Sequence, residues 1–276
     1  MKKSTKALLL KAKKQIFGEL AGNNLSKRAG DGFDFFELRP YAMGEDVRRI
    51  DWKRSAKMGE PYVKSFHEEK ELQVVFVSLL SGGLHFGTHR LKQEVMCEIG
   101  TIVGYSAVKN ADKFSLLSWQ NKDNFTILPP TKSYHKIDNE IDKLIETDMT
   151  SKECDFEGLN DFLLTRYKRR SLIIICGDFW KIPRLGAVAK KHELLSIIVR
   201  DKFEEKPSKL GTLNISNPSS MDCKEVSFDD ISIKLHEKKV HQHDKALFET
   251  FAKQGVRASK IYPHEPLISK MHSIFR

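Results

Sequence analysis

The chain has 276 residues and carries 47 lysines and arginines against 37 aspartates and glutamates, a net charge of +10. With 40% apolar residues, 17 of them phenylalanine, it can fill a real core, and 30% charged residues cover a surface, which excludes disorder, collagen and coiled coil. No run approaches the eighteen or so apolar residues of a membrane span. Leu8, Leu9 and Leu10 lead at once into Lys11 rather than into a signal-peptide core, so the protein is expected to stay in the cytoplasm.

The charge is uneven along the chain. Residues 1–30 hold eight basic residues against one acid, Glu19, which leaves +3 for the other 246. Leu9, Ala12, Ile16, Phe17 and Leu20 recur there at helical spacing, so a basic N-terminal helix is expected to dock an apolar stripe and turn its lysines outward. The alternative is a helix that meets an anionic surface, membrane headgroups or nucleic acid. Nucleic acid is disfavoured because aromatics do not interleave with the lysines. Cys97, Cys154, Cys176 and Cys223 are scattered without a C-x-x-C pair, which argues against a zinc site and disulfides.

Residues 22–70 are rich in glycine, aromatics and charge, with alternations such as Tyr62–Phe66, and read as short strands and turns. From Leu72 the pattern changes. The runs at 72–80, 113–119, 171–176 and 194–199 are almost continuously apolar, as sheet strands buried on both faces require. Between them, 88–109 and 134–146 show helical stripes. Strands alternating with helices predict βαβ units and a mostly parallel sheet flanked by helices. Beyond Pro207 lie weaker β-like pieces (Leu213–Ile215, Val226–Phe228, Ile231–Leu235). A helix from about His236 to Gly255, a short strand and a last helix after Pro266 follow. The chain is therefore read as an α/β protein in two parts, a basic helix and β-rich layer over 1–70 and an α/β domain over 71–276.

The most distinctive stretch is GDGFDFFELRPYAMGEDVRRIDWKRSAKMGEPYVKSFHEEKEL, residues 30–72. Gly30, Gly32 and Phe35, Arg39 and Tyr41, then Gly44, Glu45, Asp46, Arg48, Arg49, Ile50, Asp51 and Trp52 resemble the signature of domain-of-unknown-function family 58. In that family the signature precedes a von Willebrand factor A-like domain. In physical terms Gly44 permits a tight turn, Glu45 and Asp46 face Arg48 and Arg49, and Asp51 follows on the strand that carries Trp52. Arginine forks suit bidentate pairing with carboxylates. The network either pins the N-terminal layer or offers Arg, Tyr and Trp anchors to another protein.

A von Willebrand A-like fold implies a metal-ion-dependent adhesion site, Asp-x-Ser-x-Ser after the first strand, because Mg²⁺ wants near-octahedral oxygen ligands. Aligned on Phe86 and Gly87, this chain has Leu79 where the Asp belongs, Ser81 at the first Ser and Gly83 at the second. Asp178, in Cys-Gly-Asp-Phe, matches the family's other acidic corner. Ser81 and Asp178 are expected at the carboxyl ends of strands, where open α/β sheets place their crevice. A degenerate site that binds Mg²⁺ weakly at most is expected, with Asp178 serving equally well as a loop or N-cap hydrogen-bond acceptor.

The glycines of 81–87 match no phosphate-binding spacing. His236, His241 and His243 do not converge on one metal from one helix, and His243 shares an apolar face with Val240, Leu247 and Phe251. No catalytic motif is present, and a Ser81–His85 pair is the one nucleophile candidate. The reading is a non-enzymatic protein–protein interaction scaffold. The family resemblance further implies a MoxR-type AAA+ ATPase as partner, in chaperone-like or assembly work. The alternative is an anionic-surface binder acting through the N-terminal helix, with peripheral membrane contact.

Overall fold

The computed structural model describes residues 35–66 and 71–275. The expected basic helix, Gly30 and Gly32 lie outside them. The chain divides into two compact units at Glu71 and Leu72.

In the first unit β1 (Phe35–Pro40) pairs antiparallel with β2 (Tyr62–Phe66), Arg39 opposite Val63. Between them lie a 3-10 turn, Val47–Arg49, and the short helix α1 (Trp52–Met58). The expectation that Asp51 and Trp52 share a strand is corrected here. The Asp51 carboxylate accepts the Arg54 amide and so caps a helix whose first residue is Trp52, and Gly59, at φ +81°, closes it. Ser55 ties this helix to the hairpin, accepting the Tyr62 amide at 2.8 Å.

The second unit is built on a six-stranded sheet in the order β10–β7–β6–β3–β4–β5. Its strands are β3 (Gln73–Leu79), β4 (Lys113–Trp119), β5 (Phe125–Thr131), β6 (Leu172–Gly177), β7 (Glu193–Val199) and β10 (Arg257–Ile261). Five run parallel, and β5 is antiparallel to β4. The expected mostly parallel sheet flanked by helices is thus found. Alternate side chains of β3 face opposite layers. Val75, Val77 and Leu79 join a core with Leu159 and Leu163 of α4 (Phe156–Arg166), Val188 of α5 (Gly186–Lys191) and Leu247 and Phe251 of α7 (Asp230–Gln254). On the other side Phe76 packs toward Gly100 of α2 (Lys92–Lys109) and Ile141 of α3 (Tyr134–Glu146). The short α6 (Lys202–Glu205) and α8 (Leu267–Phe275) complete the helices.

β8 (Gly211–Ser216) and β9 (Cys223–Phe228) form a separate antiparallel hairpin, Leu213 opposite Val226. The β-like reading of Ile231–Leu235 is corrected. These residues are the first turns of α7, because Asp229 caps it by accepting the Ile231 and Ser232 amides. Ile231 and Leu235 are exposed, so their alternation reflects no buried face. Gly255, at φ +72°, closes α7 as the sequence predicts.

Candidate functional site: the crevice between the third and sixth strands

From β3 the chain moves to β4 and β5 on one side, then returns to β6 on the other. The carboxyl ends of β3 and β6 therefore flank the switch point at which open α/β sheets bind ligands. Ser81 follows β3 and Asp178 follows β6, and the structure brings them together. The Ser81 hydroxyl donates to Asp178 Oδ2 at 3.0 Å, and both residues are 8% exposed.

The other two positions of the expected motif are explained by packing. Leu79 is 1% exposed and lies in the core, against Gly177. At Gly83 a Cβ atom would fall 2.1 Å from Asp178 Oδ2, so the carboxylate occupies the room that a serine at 83 would need. The crevice thus offers one carboxylate and one hydroxyl, which does not fit an octahedral divalent ion. Among the described residues no three His, Cys, Asp or Glu side chains converge as metal ligands. His85 is exposed on the 3-10 turn Gly82–His85, and Ser81 gives its proton to Asp178 rather than to His85.

Beside the crevice the β8–β9 hairpin overhangs a cavity of about 560 Å³ walled by Phe86, Trp180, Phe203, Ile215, Val226 and Phe228, which runs up to Gly83. The hairpin tip rests on the crevice loop. A Cβ at Gly82 would lie 2.2 Å from the Pro218 carbonyl oxygen, and that oxygen accepts the Ser151 amide at 2.8 Å.

Sequence reasoning missed a buried charge network at the carboxyl end of β7. Arg200 is fully buried, donates to Asp244 Oδ1 at 3.1 Å and lies over the Trp180 ring, 3.5 Å from its centroid. Lys260 bridges Asp244 and Glu205, and Tyr262 donates to Glu205 at 2.9 Å. Lys92, also fully buried, pairs with Glu204. Asp201 accepts the Thr88 amide and caps α6 in a capping box with Glu204. That box, Asp201-x-x-Glu204, was the one legible signal.

Burial pushes the Asp244 carboxyl up. Hydrogen bonds from His243 and Lys260, with the charges of Arg200 and Lys260, outweigh it and hold the group well below the usual carboxylate range. His243 accordingly bonds the Trp180 carbonyl at 3.0 Å as well as facing Asp244, and His236 bonds the Glu204 carbonyl at 2.7 Å.

In the first unit the expected carboxylate–guanidinium network is only partly found. Arg39 pairs with Glu45, and the Tyr41 hydroxyl donates to the Glu45 carbonyl at 3.2 Å. Asp46, however, accepts the Arg48 backbone amide at 3.0 Å as the cap of the 3-10 turn. It meets a backbone donor where a guanidinium was expected. Gly44 stands at φ +100°, as a tight turn needs, and the Arg49 side chain lies outside the described residues. Trp52 is 67% exposed.

Comparison with known proteins gives relatives of unassigned role. The uncharacterized protein Rv1480 of Mycobacterium tuberculosis is 25% identical over 236 residues, covering 81% of this chain and 73% of the relative. The uncharacterized protein Mb1516 of Mycobacterium bovis matches equally. Among solved structures, an aerotolerance-related membrane protein from Bacteroides fragilis has a TM-score of 0.46 at 10% identity, covering 74% of this chain and 96% of its own. The conserved hypothetical protein BatB from Bacteroides thetaiotaomicron has a TM-score of 0.44 at 10% identity, covering 74% and 97%. An uncharacterized membrane-spanning protein from Vibrio fischeri has a TM-score of 0.25 at 12% identity, covering 75% and 98%. Likenesses this slight carry no argument about what this chain does. The expectation of a cytoplasmic protein is nevertheless overturned and set aside, since two of these neighbours are described as membrane proteins. Among the described residues no helix is long and apolar enough to cross a membrane. The family model described as "Protein of unknown function DUF58" matches residues 37–246, and the chain belongs to that family.

Proposed function

We propose that the protein is a non-enzymatic interaction module of von Willebrand factor A-like type, whose crevice binds a partner protein without a bridging metal ion. The observation that supports this reading is the space beside Gly83. Asp178 fills it and is held there by Ser81, while Leu79 is committed to the core, so the adhesion-site positions are spent on packing. A Ser81 hydroxyl turned to Asp178, away from His85, gives no reason to read a nucleophile. The partner we propose from the family resemblance is a MoxR-type AAA+ ATPase, served in chaperone-like or assembly work.

The test is affinity capture from the native host at low salt, with and without EDTA, using the native chain and Val226→Trp. Val226 lines the cavity and is 38% exposed, so the larger ring blocks the cavity with little cost to folding. The ATPase is expected to be recovered equally with and without EDTA and to be lost with Val226→Trp. Loss in EDTA contradicts metal independence, and full recovery with Val226→Trp contradicts the crevice as the binding site.

A further inference from the structure

Asp178 differs from the other buried or half-buried carboxylates at this end of the sheet. Asp244 is met by Arg200 and Lys260, Glu205 by Lys260 and Glu204 by Lys92, while Asp201 accepts the Thr88 and Phe203 amides. Asp178 receives one neutral hydroxyl, and among the described residues it forms no ion pair. Five carboxylates (Asp178, Asp201, Glu204, Glu205 and Asp244) therefore stand against three cations, Lys92, Arg200 and Lys260. A buried charge is costly unless it is paired, so this corner has a negative excess that a cation would satisfy.

The cavity beside it selects among cations. Its walls are aromatic and aliphatic and lead to Gly83, whose Cα abuts the Asp178 carboxylate. Its volume, about 560 Å³, falls in the range of organic ligand sites rather than ion sites. A long apolar stem ending in a positive charge matches both parts, and that is the construction of lysine and arginine side chains. Aromatic faces add attraction for such a cation, and Trp180 already carries the Arg200 guanidinium over its ring. A partner carboxylate, which a metal-filled adhesion site would accept, meets an uncompensated negative charge here.

We propose that the cavity is a socket for one lysine or arginine side chain of the partner protein, with Asp178 as its counter-charge. The proposal rests on the reading of the crevice as a partner site and inverts the charge that site would seek.

The test is a ¹⁵N NMR titration of the full chain with N-acetyl-arginine amide, N-acetyl-lysine amide and, as controls, the norleucine and glutamate amides. The two cationic probes are expected to shift the Gly83 amide and Trp180 indole signals saturably, with norleucine and glutamate at least tenfold weaker. Asp178→Asn, which keeps the shape and a bond to Ser81, should weaken the cationic probes at least tenfold, and its own spectrum reports whether it is folded. The absence of a saturable shift from either cation, equal binding of norleucine or glutamate, or undiminished binding by Asp178→Asn would overturn the socket. If the socket fails while Val226→Trp still loses the ATPase, the crevice reading survives without it. If the cations bind while Val226→Trp retains the ATPase, the socket stands and the partner reading fails.

Discussion

Asp244 and Asp178 both lie at the carboxyl end of one sheet, and both are more than nine-tenths buried, yet their surroundings differ in kind. Asp244 sits between Arg200, Lys260 and His243, with its charge matched in place. Asp178 has one serine hydroxyl and an adjoining cavity. Matched charges are locked into the fold, because removing one partner strands the others in a medium of low dielectric. An unmatched carboxylate contributes little to folding and remains available to a ligand. The comparison separates a structural corner from a binding corner within a few residues of the same chain.

The largest expected effect breaks the structural side. Asp244→Ala leaves the fully buried Arg200 without its counter-ion and should cost about 3 to 5 kcal/mol in urea unfolding. The same network sets the pH window. The Asp244 carboxyl is depressed below its ordinary 3.8, so its contribution is complete above that value and is lost as pH falls below it. For Lys260, burial pushes the ammonium down but its bonds to Asp244 and Glu205 outweigh it, and the group rises above 10.5. Its contribution is complete below that value and is lost as pH rises further. Urea midpoints should therefore be flattest between about pH 4 and 10, and Asp244→Ala should shrink the acid limb.

On the binding side the effects are smaller. Gly82→Ala drives a methyl group into the Pro218 carbonyl, lifts the hairpin tip and breaks the Ser151 amide bond. It should cost about 1 to 3 kcal/mol and speed hydrogen exchange at Ser151. Asp178→Asn should change stability by less than about 1 kcal/mol, since it trades a charge-assisted bond for relief of a buried charge. A loss as large as that of Asp244→Ala would erase the distinction.

Much of the scaffold was legible because continuous apolar runs and helical stripes have one physical meaning. β4 at 113–119 and α3 at 134–146 stand where the pattern put them. β5 escaped because Pro129 and Pro130 argue against a strand, and they are tolerated here only because β5 is the sheet's edge. The start of α7 and the Trp52 helix escaped because an aspartate cap outweighed the local alternation. Ser81 and Asp178 were found through a motif rather than through periodicity. No local pattern joins Arg200, Asp244 and Lys260, which are far apart in sequence and meet only when β7, α7 and β10 pack. The cavity was equally invisible, since hairpin, crevice loop and α6 meet only in the folded chain.

The central claim is that the crevice works through an unmatched carboxylate and not through a bound ion. Thermal unfolding of the full chain, titrated with Mg²⁺ and Mn²⁺, tests it most directly. The account predicts that millimolar concentrations leave the midpoint unchanged, both in the native chain and in Asp178→Ala. A large upward shift in the native chain that disappears in Asp178→Ala would contradict it.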